Sequence, residues 1–375
     1  MIIGVLQEPA FETRVSLLPE AVAALTKKGI SVLIQTDAGI KASASDEDYT
    51  KAGAQVKPAT EIVADSDIVC SIQAPDSKLL PEKSGPSSRI LLGVYQPLFN
   101  FQQMKAWATA GITSFSLDML PRTTRAQSMD VLSSQANIAG YKAVLYAANI
   151  FPKYFPMFMT AAGSIPPAKV LILGAGVAGL QAIATARRLG AVVEVFDTRP
   201  AVKEEVMSLG AKFVEVEGAA DASKAGGYAV EQSTEFLQKQ KAKIAESIAK
   251  ADIIITTAQV PGKKAPILVT TVMVDAMKKG SVIIDLAAAT GGNTELTKNN
   301  ETISYNGVAI VGNSALASTM PSDASKLYGK NVLNFLQLIT DKDGNLHLNW
   351  EDDLVKGCCI THAGEVINEQ VKKLL

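Results

Sequence analysis

Three glycines and one aspartate give the first chemistry legible in this chain. Gly174, Gly176 and Gly179 follow the apolar run 170–173, and Asp197 closes the next apolar run at 192–196. Strand, glycines, helix, strand and acid, in that order within about 30 residues, make a βαβ dinucleotide site. The glycines supply a tight turn, a close backbone approach to a pyrophosphate and close helix packing. A helix starting at Val177 aims its unpaired N–H groups and positive dipole end at that anion, with Ala175 and Ala178 completing the loop. Asp197 is placed to accept from both hydroxyls of an adenosine ribose, which favours NAD(H) over NADP(H). Two plainer readings compete: a glycine-tight corner that binds nothing, with Asp197 capping the next helix, and a membrane span over 170–186. Gln181 and Thr185 inside that stretch count against the span, as do the three glycines.

A second polar cluster lies at 121–137. Gln127, Asp130 and Ser133 recur every third residue, so a helical segment puts them on one face, with Arg122 and Arg125 on the preceding loop able to fold back onto Asp130. A guanidinium, a carboxylate and a hydroxyl together match the acceptor and donors of a nicotinamide carboxamide. Spacing alone is equally met by a helix start capped by Ser128 or Thr124, with exposed Arg–Asp pairs of little value.

The elements that must carry these residues follow from apolar runs alternating with helical stretches. Strand-like runs fall at 2–6, 31–35, 68–71, 90–94 and 113–116, with helices at 19–28, 46–52 and 101–110. A long helix at about 131–150 leads through Pro152, Pro166 and Pro167 into the fingerprint strand, and strands recur at 192–196, 212–216, 253–256, 281–285 and 308–311. The fold class is α/β, with two doubly wound Rossmann-like domains. We expect a first domain of 1–133 and 315–375 with the nucleotide domain, 134–314, inserted into it and the cofactor cleft between them. The glycine-rich 218–227, with Tyr228 at its edge, reads either as a surface connection or as a lid.

Bulk properties narrow the function. At 375 residues two domains are the prior, and 47% hydrophobic content supplies their cores. A net charge of -1 without basic clusters argues against nucleic acid and anionic membrane surfaces as partners. The start, Met1 to Leu6 followed by Gln7, Glu8 and Pro9, is too short for a signal peptide core. Cys70, Cys358 and Cys359 lack C-x-x-C spacing, and only His347 and His362 could assist a metal site, so a cytoplasmic, metal-free protein is expected. Cys358 and Cys359 are expected on a strand, one facing in and one out.

Arg122, the run from Arg125 through Gln127 to Asp130, Ser133 to Gln135, and Gly140 with Tyr141 resemble the signature of the NAD(H)-binding component of proton-translocating nicotinamide nucleotide transhydrogenase, a relative of alanine dehydrogenase. The similarity continues through 159–163, 174–190, 226–228, 256–262, 284–293 and 331–334. It implies that Arg122, Asp130 and Ser133 hold the nicotinamide amide, that Gln127 contacts the nicotinamide ribose, and that Tyr228 belongs to a mobile loop over the cofactor. Thr198 and Arg199 beside Asp197, with Thr257, Ala258, Gln259 and Pro261, complete the candidate cofactor contacts. The resemblance further implies a homodimer, NADP(H) on a separate component, and a membrane proton channel on another polypeptide. The chain itself, with no span, would then attach peripherally to the inner membrane through those partners.

Alanine dehydrogenases are similar over the same span, but place a lysine where this chain has Gln73, a histidine near Tyr95 and Gln96, and an aspartate near Ala289. Oxidising an amino acid moves a proton as well as a hydride and needs a positioned acid or base. Hydride exchange between two nicotinamides needs none, only close and aligned carbons. Arg14 matches an arginine of both families and discriminates nothing, while 315–321 departs from the usual asparagine and proline run. The rivals are an alanine-dehydrogenase-like enzyme and a non-catalytic NAD sensor.

Overall fold

The computed structural model describes residues 1–80, 89–216 and 234–375, without the side chains of residues 235–237. The chain divides into two compact units, Met1–Gln135 with Ser318–Leu375, and Ala136–Ala317. The 20-residue helix Val131–Ile150 carries the chain from the first into the second.

Unbroken apolar runs become parallel strands covered on both faces. The strands of the first unit are β1 (Ile2–Val5), β2 (Ser31–Gln35), β3 (Gln55–Lys57), β4 (Ile68–Cys70), β5 (Ile90–Gly93) and β6 (Thr113–Ser116), of which β3 is a polar edge strand. The second unit begins with a hairpin of β7 (Phe158–Thr160) and β8 (Gly163–Ile165). It continues with β9 (Lys169–Leu173), β10 (Val192–Phe196), β11 (Lys212–Phe213), β12 (Ile253–Thr256), β13 (Val282–Asp285), β14 (Thr302–Tyr305) and β15 (Val308–Val311). The returning segment adds β16 (Cys359–His362) and β17 (Glu365–Val366).

The first sheet runs β17-β16-β6-β5-β4-β1-β2-β3, parallel from β6 to β3 and antiparallel at β16 and β17. The second runs β11-β10-β9-β12-β13-β15-β14, with only β14 antiparallel among the described strands. Each sheet reverses direction of growth beside its first strand, at β1/β4 and at β9/β12. Ligands of doubly wound folds bind at the carboxyl ends of strands at such a switch point. Two apolar layers cover each sheet, so the polar loops at those ends stand on a rigid base.

The expectation for the paired cysteines fails. Cys358 ends the helix Asp353–Cys358 and only Cys359 is in a strand, and both are fully buried. The helix-to-strand junction breaks the alternation that would have turned one of them outward.

Candidate functional site

β9 delivers the chain to Gly174, whose φ of +109° is open to glycine at little cost. A Cβ there would stand 2.4 Å from Thr257 Oγ1, and one on Gly179 would stand 1.9 Å from the Gly174 carbonyl. Both positions exclude a side chain. Gly176 is different: it has nothing within 4 Å of its would-be Cβ and caps the helix Val177–Arg188 without any side-chain hydrogen bond. The first turn of that helix therefore lies at the dipole's positive end beside the open side of Gly176, the setting a pyrophosphate requires. These residues fit a dinucleotide. The opposite face of the turn is held by the long helix, where a Cβ on Gly140 would lie 2.1 Å from the Ala178 carbonyl.

Asp197 follows β10 and closes the first half of the site. Its Oδ2 accepts from the Ala175 amide at 2.7 Å and from Arg199 Nη2 at 2.8 Å, and its Oδ1 accepts from the Arg199 amide and Nε at 2.8 and 2.9 Å. The hydrogen bond to Asp197 raises the Arg199 guanidinium further above its usual range, against burial. Thr198 lies between them, half-buried. On the other side of the switch point Thr257 Oγ1 donates to the Gly174 carbonyl at 3.1 Å, and the half-buried Ala258 leads to exposed Gln259 and Pro261. The structure thus gathers the glycine turn, Asp197 and Thr257 around one crevice of the second unit.

The polar segment folds differently from a simple helix. Residues Thr124–Met129 form a 3-10 helix, Asp130 leaves helical geometry with ψ of 91°, and the long helix starts at Val131. Asp130 caps that helix: its Oδ1 accepts from the Ser133 amide at 2.9 Å and its Oδ2 from Ser133 Oγ at 2.6 Å. Arg122 and Gln127 are exposed on the same segment. Arg125 does not fold back onto Asp130; it pairs with Asp352 and Asp353 of the returning segment, at 2.5 and 3.1 Å. Asn331 and Asn334, on the helix Pro321–Leu338, both donate to the Ser128 carbonyl, at 2.8 and 2.9 Å. That accounts for two asparagines one helical turn apart, and neither has a local signal of this role. Tyr228 lies outside the described residues.

A third polar group, missed in the sequence apart from Arg14, occupies the first unit's own switch point. Glu8, after β1, is 7% exposed and accepts from the amides of Ile72 and Gln73, after β4, at 2.6 and 2.9 Å. Burial pushes its carboxyl up to about 7 against the pull of those two amides. Arg14 donates Nε and Nη2 to Glu12 and Nη1 to Gln135, at 2.8, 2.7 and 2.8 Å. Burial raises the Glu12 carboxyl, but its bonds with Arg14 outweigh it and hold the group below its usual range. Gln73 donates to Glu12 as well, at 3.4 Å. Among the described residues no cluster of His, Cys, Asp and Glu could hold a metal ion, and no helix is long and apolar enough to cross a membrane.

Comparison with known proteins gives the family. Residues 4–139 match the family model for the alanine dehydrogenase/PNT N-terminal domain, and 143–369 match that for its C-terminal domain. The chain is 43% identical over 366 residues to an NAD(P) transhydrogenase subunit alpha polypeptide of Rickettsia prowazekii (strain Madrid E), covering 96% of this chain and 94% of that one. The crystal structure of a transhydrogenase from Sinorhizobium meliloti superposes with a TM-score of 0.89 at 44% identity, over 98% of this chain and 100% of that one. An L-alanine dehydrogenase structure reaches 0.82 at 26% identity, over 100% and 99% of the two chains.

Proposed function

The chain belongs to the alanine dehydrogenase/PNT family, as a homologue of NAD(P) transhydrogenase alpha subunits, and from that premise we propose that it is the NAD(H)-binding half of a two-component active site. NAD(H), when bound, supplies or accepts the hydride at its nicotinamide C4. The glycine turn and the helix at Val177 hold the pyrophosphate, Asp197 orients the adenosine ribose, and Thr257 to Pro261 follow the cofactor toward its second nucleotide. Arg122, Asp130 and Ser133 fix the nicotinamide carboxamide, and Gln127 the adjoining ribose. Asp130, already oriented by its bonds to Ser133, has its geometry set before a ligand arrives. The exchange NADH + NADP+ → NAD+ + NADPH transfers one hydride and no net proton. The residues therefore need only to hold one ring still and leave its C4 edge open to NADP+ carried by a partner. A membrane component couples that exchange to proton movement, and the chain acts as a homodimer on the cytoplasmic side of the inner membrane.

The observation that supports this reading over an amino acid dehydrogenase is the condition of Arg14. Its Nε, Nη1 and Nη2 all donate to this chain's own Glu12 and Gln135, and an amide, Gln73, stands where the resemblance puts a lysine in alanine dehydrogenases. An oxo acid carboxylate would have to displace Glu12 from a bidentate charge-assisted pair. Glu8 is ionisable but buried, with each oxygen held by a backbone amide, and makes a poor proton shuttle.

Reconstitution with an NADP(H)-binding transhydrogenase component tests the proposal. Hydride exchange between NADH and NADP+ should appear in the mixture and not with the chain alone. Arg122→Ala should slow it about a hundredfold, the scale expected for a misplaced ring, while NADH binding changes only a few-fold. Turnover of NADH with a 2-oxo acid and ammonia by the isolated chain would overthrow the reading, and NADH binding without exchange would leave only a sensor.

A further inference from the structure

The backbone at 257–259 is held from two sides. On one, the Thr257 amide donates to the Leu173 carbonyl at 2.9 Å and Thr257 Oγ1 donates to the Gly174 carbonyl at 3.1 Å. On the other stands Asn293, fully buried, from the loop after β13. Its Oδ1 accepts from the Ala258 amide at 3.0 Å, and its Nδ2 donates to the carbonyls of Ala258 and Pro266, both at 2.8 Å. One side-chain amide thus meets both polar groups of Ala258, using its acceptor oxygen and both donor hydrogens as a neighbouring strand would.

Asn293 is itself fixed by Asp285, the last residue of β13 and likewise fully buried. Asp285 Oδ2 accepts from the amides of Asn293 and Thr294 at 2.7 and 3.2 Å and from Thr297 Oγ1 at 2.5 Å. Its Oδ1 accepts from Thr256 Oγ1 and the Ala287 amide, both at 2.9 Å. There is no slack around it, since a Cβ on Gly292 would lie 2.9 Å from Oδ2. A buried carboxylate is costly unless its acceptors are filled, and this one is filled by donors from β12 and from the loop that carries Asn293.

The place of this network decides what it can do. The glycine turn and Asp197 belong to the first mononucleotide half of the fold, whereas 257–259 follow the first strand of the second half, whose loops face the other nucleotide. We infer that Asn293, held by Asp285, is a positioning residue that sets the 257–259 backbone for the nicotinamide half of the cofactor without touching the cofactor itself. The inference rests on the NAD(H) reading above. It separates the two halves: loosening this backbone leaves the adenosine and pyrophosphate contacts in place.

Titration of the full chain with NADH and, separately, with ADP tests the separation. Asn293→Ala should weaken NADH about tenfold or more while ADP affinity stays within about twofold of wild type, since ADP fills only the first half. Should that variant fail to fold, Thr297→Val decides: it removes one donor from Asp285 at a half-buried site and should weaken NADH about threefold with ADP unchanged. Equal loss of both ligands, the signature of a merely structural residue, overturns the inference, as does unchanged NADH affinity in a folded variant. A wild-type chain that binds ADP but not NADH overturns the NAD(H) reading itself, and this inference with it.

Discussion

On the proposed NAD(H) reading, Asp197 sets cofactor choice through what it neutralises. Its four hydrogen bonds come from the Ala175 amide and three donors of Arg199, so the carboxylate is fixed before any ribose arrives. Arg199 is in turn a cation balanced by Asp197, and the proposed reading puts the ribose 2′ position beside that pair. Replacing the acid removes the acceptor for ribose hydroxyls and the balance together. Asp197→Ala should therefore weaken NADH on the order of tenfold, the scale of one hydrogen bond to a charged group, and strengthen NADPH by a similar factor. Fluorescence titration with both reduced cofactors checks the opposite signs, and a parallel loss of both would assign Arg199 to holding the loop alone. The aspartate was legible in the sequence because it ends a strand at a fixed distance from three glycines. Its tie to Ala175 was not, because turn amides carry no side-chain signature. Arg125 was misassigned for a related reason: its partners Asp352 and Asp353 lie in a segment that only the returning chain brings near.

At the scale of elements the long helix Val131–Ile150 does two jobs. Its start is set by the Asp130 cap in the first unit, and its middle packs backbone to backbone on the phosphate-binding helix through Gly140. Alanine at 140 would favour the isolated helix by up to about 1 kcal/mol. The new Cβ would meet the Ala178 carbonyl at 2.1 Å, however, and a backbone carbonyl at a helix start cannot swing aside as a long side chain can. Overpacking of this kind costs about 1 to 3 kcal/mol and here outweighs the propensity gain. Gly140→Ala should lower Tm by a few degrees and weaken NADH by moving the helix start at Val177. An unchanged melting curve with unchanged affinity would show that the two helices can part without consequence. Interior strands such as β4, β5, β12 and β13 were readable because all their residues are buried, which demands unbroken apolar runs. β3, reading Gln55-Val56-Lys57, and β14, alternating between exposed and half-buried, were not, because edge strands carry too few apolar residues to stand out from loops.

At the scale of the whole molecule the hairpin of β7 and β8 asks for a partner. All six of its residues are exposed, and an isolated two-stranded sheet is marginal in water. It also carries an apolar surface: Met159 is 72% exposed and Met157 62%, beside Phe158 and Ile165, with the ring of Tyr154 stacked on Phe158 at 5.1 Å. Phe155, next to Tyr154 in sequence, is by contrast buried in the second unit's core, so the outward residues are not spill-over from that core. On the homodimer proposed above, the occupant of these grouped apolar side chains is a second copy of this chain. Sedimentation of the wild-type chain should give about twice the 39.5 kDa chain mass. Phe158→Glu with Met159→Glu places charges where two such hairpins would be desolvated and should yield monomers. Because the hairpin precedes the fingerprint strand and holds none of the cofactor candidates, ADP binding should stay within about twofold, which separates loss of association from loss of fold. A wild-type monomer, or a charged variant that still sediments as a dimer, would remove the hairpin from the interface.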